Sequence, residues 1–251
     1  MYGDFLAEKM QVNVHCIVLR NVRYSDTQTI VTVYSRELGR FSFLSPAGNT
    51  REAARRRALL MPFSEVEGIV ISKTGRELLV MKDMSRVGKT DFTANPMKSI
   101  VALFLSDLLY ALLKEQQPDT ALYGYLHRSS EILGELHTAA SLANFHISFL
   151  LGLIRFFGIE PDCGSYGKGK ILDMAGGLWR FTSPLSGKFL NPEESRAAYF
   201  LASKMNMHTM HFFRFTKEQR NRTIDVLLDY LSLHISNLTG IKSLDVVRSL
   251  F

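Results

Sequence analysis

The sequence predicts an α+β multidomain chain. An N-terminal OB-type β-barrel covers residues 1–88, and an all-α helical bundle covers 89–251, interrupted at 162–190 by a small Gly-rich β-hairpin insertion. Three observations lead there. Up to about Met84 apolar residues alternate with polar ones at the period of half-buried strands. Past Asp91 the spacing becomes helical. The basic excess is also one-sided: 14 Lys and Arg against 9 Asp and Glu up to Thr90, then 16 against 15.

The strands are read in order at 14–19, 29–35, 40–44, 66–72 and 78–81, with Gly39 and Thr74-Gly75 at two of the turns. Between the third and fourth, 51–60 is rich in Ala and Arg and reads as a short helix that Pro62 stops. Five strands with a helix after the third is the order of an OB barrel. Asn95-Pro96 opens the first long helix as cap and first helical residue, with Ile100, Leu103, Phe104, Leu108 and Leu112 at helical spacing to about Glu115. Asp119 opens a second, carrying Leu122, Leu126, Leu133 and Leu136, and a third runs over 140–157, closed by Gly158 with Pro161 beyond. Asn191-Pro192 starts a fourth, and Thr216 with Gln219 forms a capping box for a fifth that extends to about Ile235.

Composition bounds the function. Apolar residues make up 46% of the 251-residue chain, enough for one large core or two smaller ones. The net charge of +6 is concentrated in the first third, where a polyanion would bind. Cys16 and Cys163, the two cysteines, lie too far apart in sequence to suggest a disulfide framework, and Cys16 reads as a buried strand residue. No signal-peptide pattern opens the chain, and 147–157, its most apolar run, is broken by Ser148, Gly152 and Arg155, so neither export nor a membrane span is expected.

The main chemical signal is basic. Arg51, Arg55, Arg56 and Arg57, with Arg20, Arg23, Arg40, Lys73 and Arg76, are the candidate phosphate contacts, since a guanidinium fork donates two bonds at once. Arg51 and Arg55 share a helical face. The plainer alternative is a solvated basic helix. Tyr24 and Tyr34 are candidate base-stacking rings, whereas Phe41 and Phe43 read as barrel core. His208 and His211 stand at a chelating spacing but lack a nearby acidic or thiol partner, and packing explains them better. Glu65 and Glu67 share a strand face that reads as solvated. No phosphate-cradling Gly loop and no carboxylate cluster points to catalysis, so no enzyme, cofactor or metal is expected.

Ile17-Val18-Leu19-Arg20, Tyr24, Ile30-Val31-Thr32, Tyr34, Leu38-Gly39-Arg40, Pro62-Phe63 and Leu78 resemble the N-terminal part of the bacterial recombination mediator family RecO. Leu103-Phe104, Leu108-Leu109, Gly158 with Pro161, and Lys242-Ser243-Leu244 continue the resemblance in the same order over nearly the whole chain. It implies a non-enzymatic DNA repair and recombination protein of the bacterial cytoplasm and nucleoid. Such a protein binds single- and double-stranded DNA, anneals complementary strands, and works with RecR to load RecA on DNA coated by single-strand-binding protein. The alternative is a docking adaptor whose barrel is only a scaffold. Many relatives carry two CxxC pairs as a zinc site between the third and fourth long helices. Here Cys163 stands alone, so packing around Leu172, Leu178, Trp179 and Phe181 is expected to replace the metal. The resemblance further implies a pocket for the acidic, apolar-ended tail of single-strand-binding protein. Arg155 is one candidate, and Arg214, Lys217, Arg220 and Arg222 are the other.

Overall fold

Val, Ile, Thr and Phe at alternate positions build five strands: β1 (Gln11–Arg23), β2 (Gln28–Ser35), β3 (Gly39–Pro46), β4 (Glu65–Ile71) and β5 (Val80–Arg86). They form one antiparallel sheet in the order β3-β2-β1-β4-β5. A parallel bridge from Phe43 to Leu79 joins its two edges, with Leu79 N–H donating to Ser42 O at 3.2 Å. Closure of this kind removes the exposed edges and makes the sheet a barrel. The computed structural model describes residues 11–71, 79–88, 91–92, 94–114, 117–235 and 238–251. The expected Thr74-Gly75 turn and Leu78 lie outside them.

Val14, Cys16, Val18, Val31, Val33, Phe43, Val66, Val70 and Met81 fill the barrel. Phe43 is core as the alternation predicted, and Phe41 packs against it, partly buried. The short helix α1 (Arg51–Leu59) is capped by Thr50, whose hydroxyl accepts from Ala53 N–H at 3.1 Å. Leu60, just past its end, is buried in the barrel core. Phe63 then takes a left-handed φ of 60°, a strained conformation for a non-glycine, with its ring buried beside Phe92.

Two helices, α2 (Pro96–Leu112) and α3 (Thr120–Glu135), follow the sheet. Asn95 caps α2 and Asp119 caps α3 through side-chain bonds to main-chain N–H groups. The α2 helix packs on the outside of β1, where Ser106 Oγ donates to Val18 O at 3.0 Å. Its buried stripe is Val101, Phe104, Leu105, Leu108, Leu109 and Leu112; of the expected face Phe104, Leu108 and Leu112 are buried, Ile100 is half-buried and Leu103 is exposed. The chain's internal contacts divide it between Gly134 and Glu135, so these helices belong to the same compact unit as the barrel.

The second unit holds α4 (Ala139–Phe156), β6 (Ile171–Asp173), β7 (Leu178–Arg180), α5 (Pro192–Lys204), α6 (Lys217–His234) and α7 (Leu244–Leu250). Its core helix α4 is buried on nearly every side, with Phe145, Ile147, Phe149, Leu150 and Leu153 all inaccessible. Among the described residues α4 alone is long and apolar enough to cross a membrane, by length and composition only, and its apolar residues are spent on this core. Capping boxes at Asn191/Glu194 and Thr216/Gln219 start α5 and α6. The last helix was not expected; Val247 buries it and Arg248 ties it to Asp225 of α6.

Candidate nucleic-acid interface

Side chains that alternate away from the barrel core form rows across β1, β2 and β3. A bulge between Val18 and Arg20 brings Arg20 into register with Thr32, which in turn faces Ser42. The Thr32 and Ser42 hydroxyls are 2.8 Å apart. The next row is Val22, Ile30 and Leu44, partly open to solvent. Beyond it, at the β1–β2 turn, the Tyr24 ring is 63% exposed and Arg23 pairs with Asp26 at 2.8 Å. The surface is apolar and aromatic with cations around it, which suits a strand whose bases stack while its phosphates are neutralised.

The α1 helix adds the strongest charge. Arg51 and Arg55 are exposed and make no hydrogen bond or ion pair among the described residues. Arg56 pairs with Glu52 at 2.8 Å, and Arg57 donates to the Gly48 carbonyl. Exposed links of this kind are worth about 0–1 kcal/mol, so a phosphate can displace them.

Two expected contacts are corrected. Tyr34 is fully buried; its hydroxyl donates to Gln117 O at 3.2 Å and accepts from Asp119 N–H at 3.1 Å. Burial pushes its pKa up to about 12, and neither ring face is open to a base. Arg40 is turned inward: Nη1 donates to Tyr110 O at 2.8 Å and Leu113 O at 2.9 Å, capping α2. Its guanidinium lies 4.3 Å from the Tyr110 ring centroid, and that of Arg20 lies 4.6 Å from it. Tyr110 was missed because its role depends on two arginines more than 65 residues away (70 for Arg40). Lys73 and Arg76 lie outside the described residues.

In the second unit, a cavity of about 540 Å³ opens between α4, α5 and α6, with Ile154, Phe200, Leu201, Phe213, Phe215 and Leu227 among its apolar walls. It draws members of both expected basic sets to one place: Arg155, Arg214 and Arg222 all line it. Arg155 donates to Ala202 O and Met205 O at 2.7 and 2.8 Å, and Arg222 to Glu194 at 2.6 Å. Arg214 is exposed and makes no hydrogen bond or ion pair among the described residues. Glu160, Glu193 and Glu218 also stand in the lining. Lys217 and Arg220 point elsewhere, holding the α7 end through Ser249 O and Phe251 O.

Two family models match the chain: Recombination protein O N terminal over residues 10–88 and Recombination protein O C terminal over 94–245. It is 36% identical to the DNA repair protein RecO of Phocaeicola vulgatus over 94% of this chain and 97% of that one. The chain belongs to the RecO family. It is also similar to the DNA repair proteins RecO of Bacteroides fragilis, at 32% over 94% and 97%, and of Azobacteroides pseudotrichonymphae, at 30% over 96% and 100%.

The 162–190 segment carries one cysteine. Cys163 is a free thiol, and no group of three or more His, Cys, Asp or Glu placed to hold a metal exists among the described residues. Ser195 occupies the centre instead. Its Oγ accepts from Leu172 N–H at 2.8 Å and donates to Leu190 O at 3.0 Å, while its carbonyl accepts from Trp179 Nε1 at 3.1 Å. Leu172 and Trp179 are buried there as expected, but Leu178 and Phe181 are exposed. His208 and His211 lie in a tight turn where the Asn206 side chain accepts from two main-chain N–H groups.

Proposed function

We propose that this RecO-family DNA repair protein is a non-enzymatic mediator of the bacterial cytoplasm and nucleoid, divided functionally into a DNA-binding barrel and a protein-docking helical part. The barrel binds single- and double-stranded DNA, anneals complementary strands, and acts with RecR to load RecA on DNA coated by single-strand-binding protein. What carries the reading is the outer face of β1, β2 and β3. There, exposed Tyr24 and the Val22, Ile30 and Leu44 row lie in the unit that also bears Arg51 and Arg55, unpaired among the described residues. Two polyanions repel one another, and a cationic surface that holds both lowers the barrier to pairing. The apolar cavity with Arg214 at its mouth suits the tail of single-strand-binding protein, whose apolar end would fill the walls and whose carboxylate would meet the guanidinium.

Removing Arg51 and Arg55 together by alanine substitution tests the barrel. Anisotropy titrations of a labelled oligonucleotide across salt should show weaker binding without sequence preference, and a log–log slope flatter by roughly 0.7 per lost contact on single strands. Unchanged affinity and slope would leave the barrel a scaffold and favour the adaptor.

A further inference from the structure

The 166–181 hairpin region carries an exposed surface with a composition of its own. Phe181 follows β7 and is 74% exposed, with the Lys170 ammonium 5.5 Å from its ring centroid. Lys170 Nζ also donates to Ser165 O at 2.6 Å, beside Tyr166. The Tyr166 ring stacks on Tyr199 of α5 at 3.9 Å and 9°, and Tyr199 meets Phe200 edge-on at 5.6 Å. Arg196, one turn back on α5, places its guanidinium 5.8 Å from the Phe200 ring centroid. Lys168 and Arg196 are exposed and make no ion pair among the described residues. Of the nearby acids, Asp173 is buried and faces Arg180 at 3.5 Å and Glu194 pairs with Arg222, while Asp162 and Glu193 are exposed.

We propose that this surface is a second contact for single-stranded nucleic acid, separate from the barrel, with Phe181 as a base-stacking ring and Lys168, Lys170 and Arg196 as phosphate partners. The occupant follows from the chemistry. Exposed cations favour a polyanion, and an open ring held beside an ammonium offers a flat apolar face on which an unpaired base stacks. Duplex DNA hides those base faces. The fixed Tyr166–Tyr199 stack limits the motion of the surface, so little ordering is needed on binding. Because this inference rests on the reading that the protein binds DNA, its test keeps the two surfaces apart.

The experiment uses the full chain and a labelled oligothymidylate at several salt concentrations. Phe181→Ala removes an exposed ring, so the fold should be unchanged by near-UV circular dichroism, and affinity should fall about 5-fold or more. Lys168→Gln with Arg196→Gln should flatten the log–log salt slope by roughly 1.4. An iodouracil-substituted strand should crosslink to the peptide containing Phe181, and should still do so when Arg51 and Arg55 are both alanine. Loss of binding only in the Arg51/Arg55 variant, with no crosslink at Phe181, overturns the second contact and leaves the barrel reading intact. Loss in the Phe181 variant alone does the reverse. Unaltered strand binding together with lost capture of an acidic peptide reassigns the surface to protein docking and likewise overturns the proposal.

Discussion

Arg40 and Arg55 are the same residue type in the same basic third of the chain, and their surroundings separate them. Arg40 makes two charge-assisted bonds to the end of α2 and stacks on Tyr110; Arg55 is exposed and unpaired among the described residues. Hydrogen bonds to charged groups contribute about 1.5–3 kcal/mol. Arg40→Ala should therefore lower the stability of the first unit by about that much in urea, whereas Arg55→Ala should leave the urea midpoint unchanged and weaken strand binding. Equal stability loss in the two variants would contradict the assignment. At this scale the sequence identified the right residue types but could not sort them. A basic residue near a turn looks the same whether its partner is a phosphate or a helix end 70 residues away.

The hairpin module is held by buried hydrogen bonds and packing. Three hydrogen bonds converge on Ser195, and Trp179 and Leu172 close over it. Ser195→Ala would strand the Leu172 N–H and the Leu190 carbonyl in a buried place, at about 1–3 kcal/mol each. Hydrogen exchange should then quicken over β6 and β7, while a chelator added to the wild-type protein should leave that exchange unaltered. Chelator-sensitive protection would mean that ligands outside this cluster hold the module. Caps explain why the other elements were legible: Asn95, Asp119, Asn191 and Thr216 each bond to main-chain groups two or three residues on, an interaction written in local sequence. The strands were legible for a similar reason, since alternation is a local signal. The last helix was not legible, because it is short and is held by tertiary contacts, the burial of Val247 and the tie from Arg248 to Asp225 on α6.

In the second unit, one buried group couples pH to stability: His146 on α4. Burial first, and then the charge of Arg220, push its pKa down to about 3 from an ordinary 6.5, with the ring beside Phe251. The folded protein therefore holds this imidazole neutral while the unfolded chain protonates it. Its contribution is fully present above pH 6.5 and is lost as the pH falls toward 3, at about 1.4 kcal/mol per pH unit. Urea unfolding between pH 7 and 5 should reveal that slope in the second unit, and His146→Leu should remove it. A slope that survives the substitution would place its origin in other groups.

The sequence by itself determined the barrel-then-helix order, the capped helix starts, the one-sided charge, and the absence of a second cysteine near Cys163, because all of these are composition, period or short-range bonding. Only the tertiary structure decided that α2 and α3 belong with the barrel, that Tyr34 and Arg40 face inward while Tyr24 and Arg55 face out, and that Arg155, Arg214 and Arg222 share one cavity. The physical reason is range. Burial and hydrogen-bond partnership between residues tens of positions apart are set by how whole elements pack, and no local pattern encodes which of two equivalent side chains the packing will enclose.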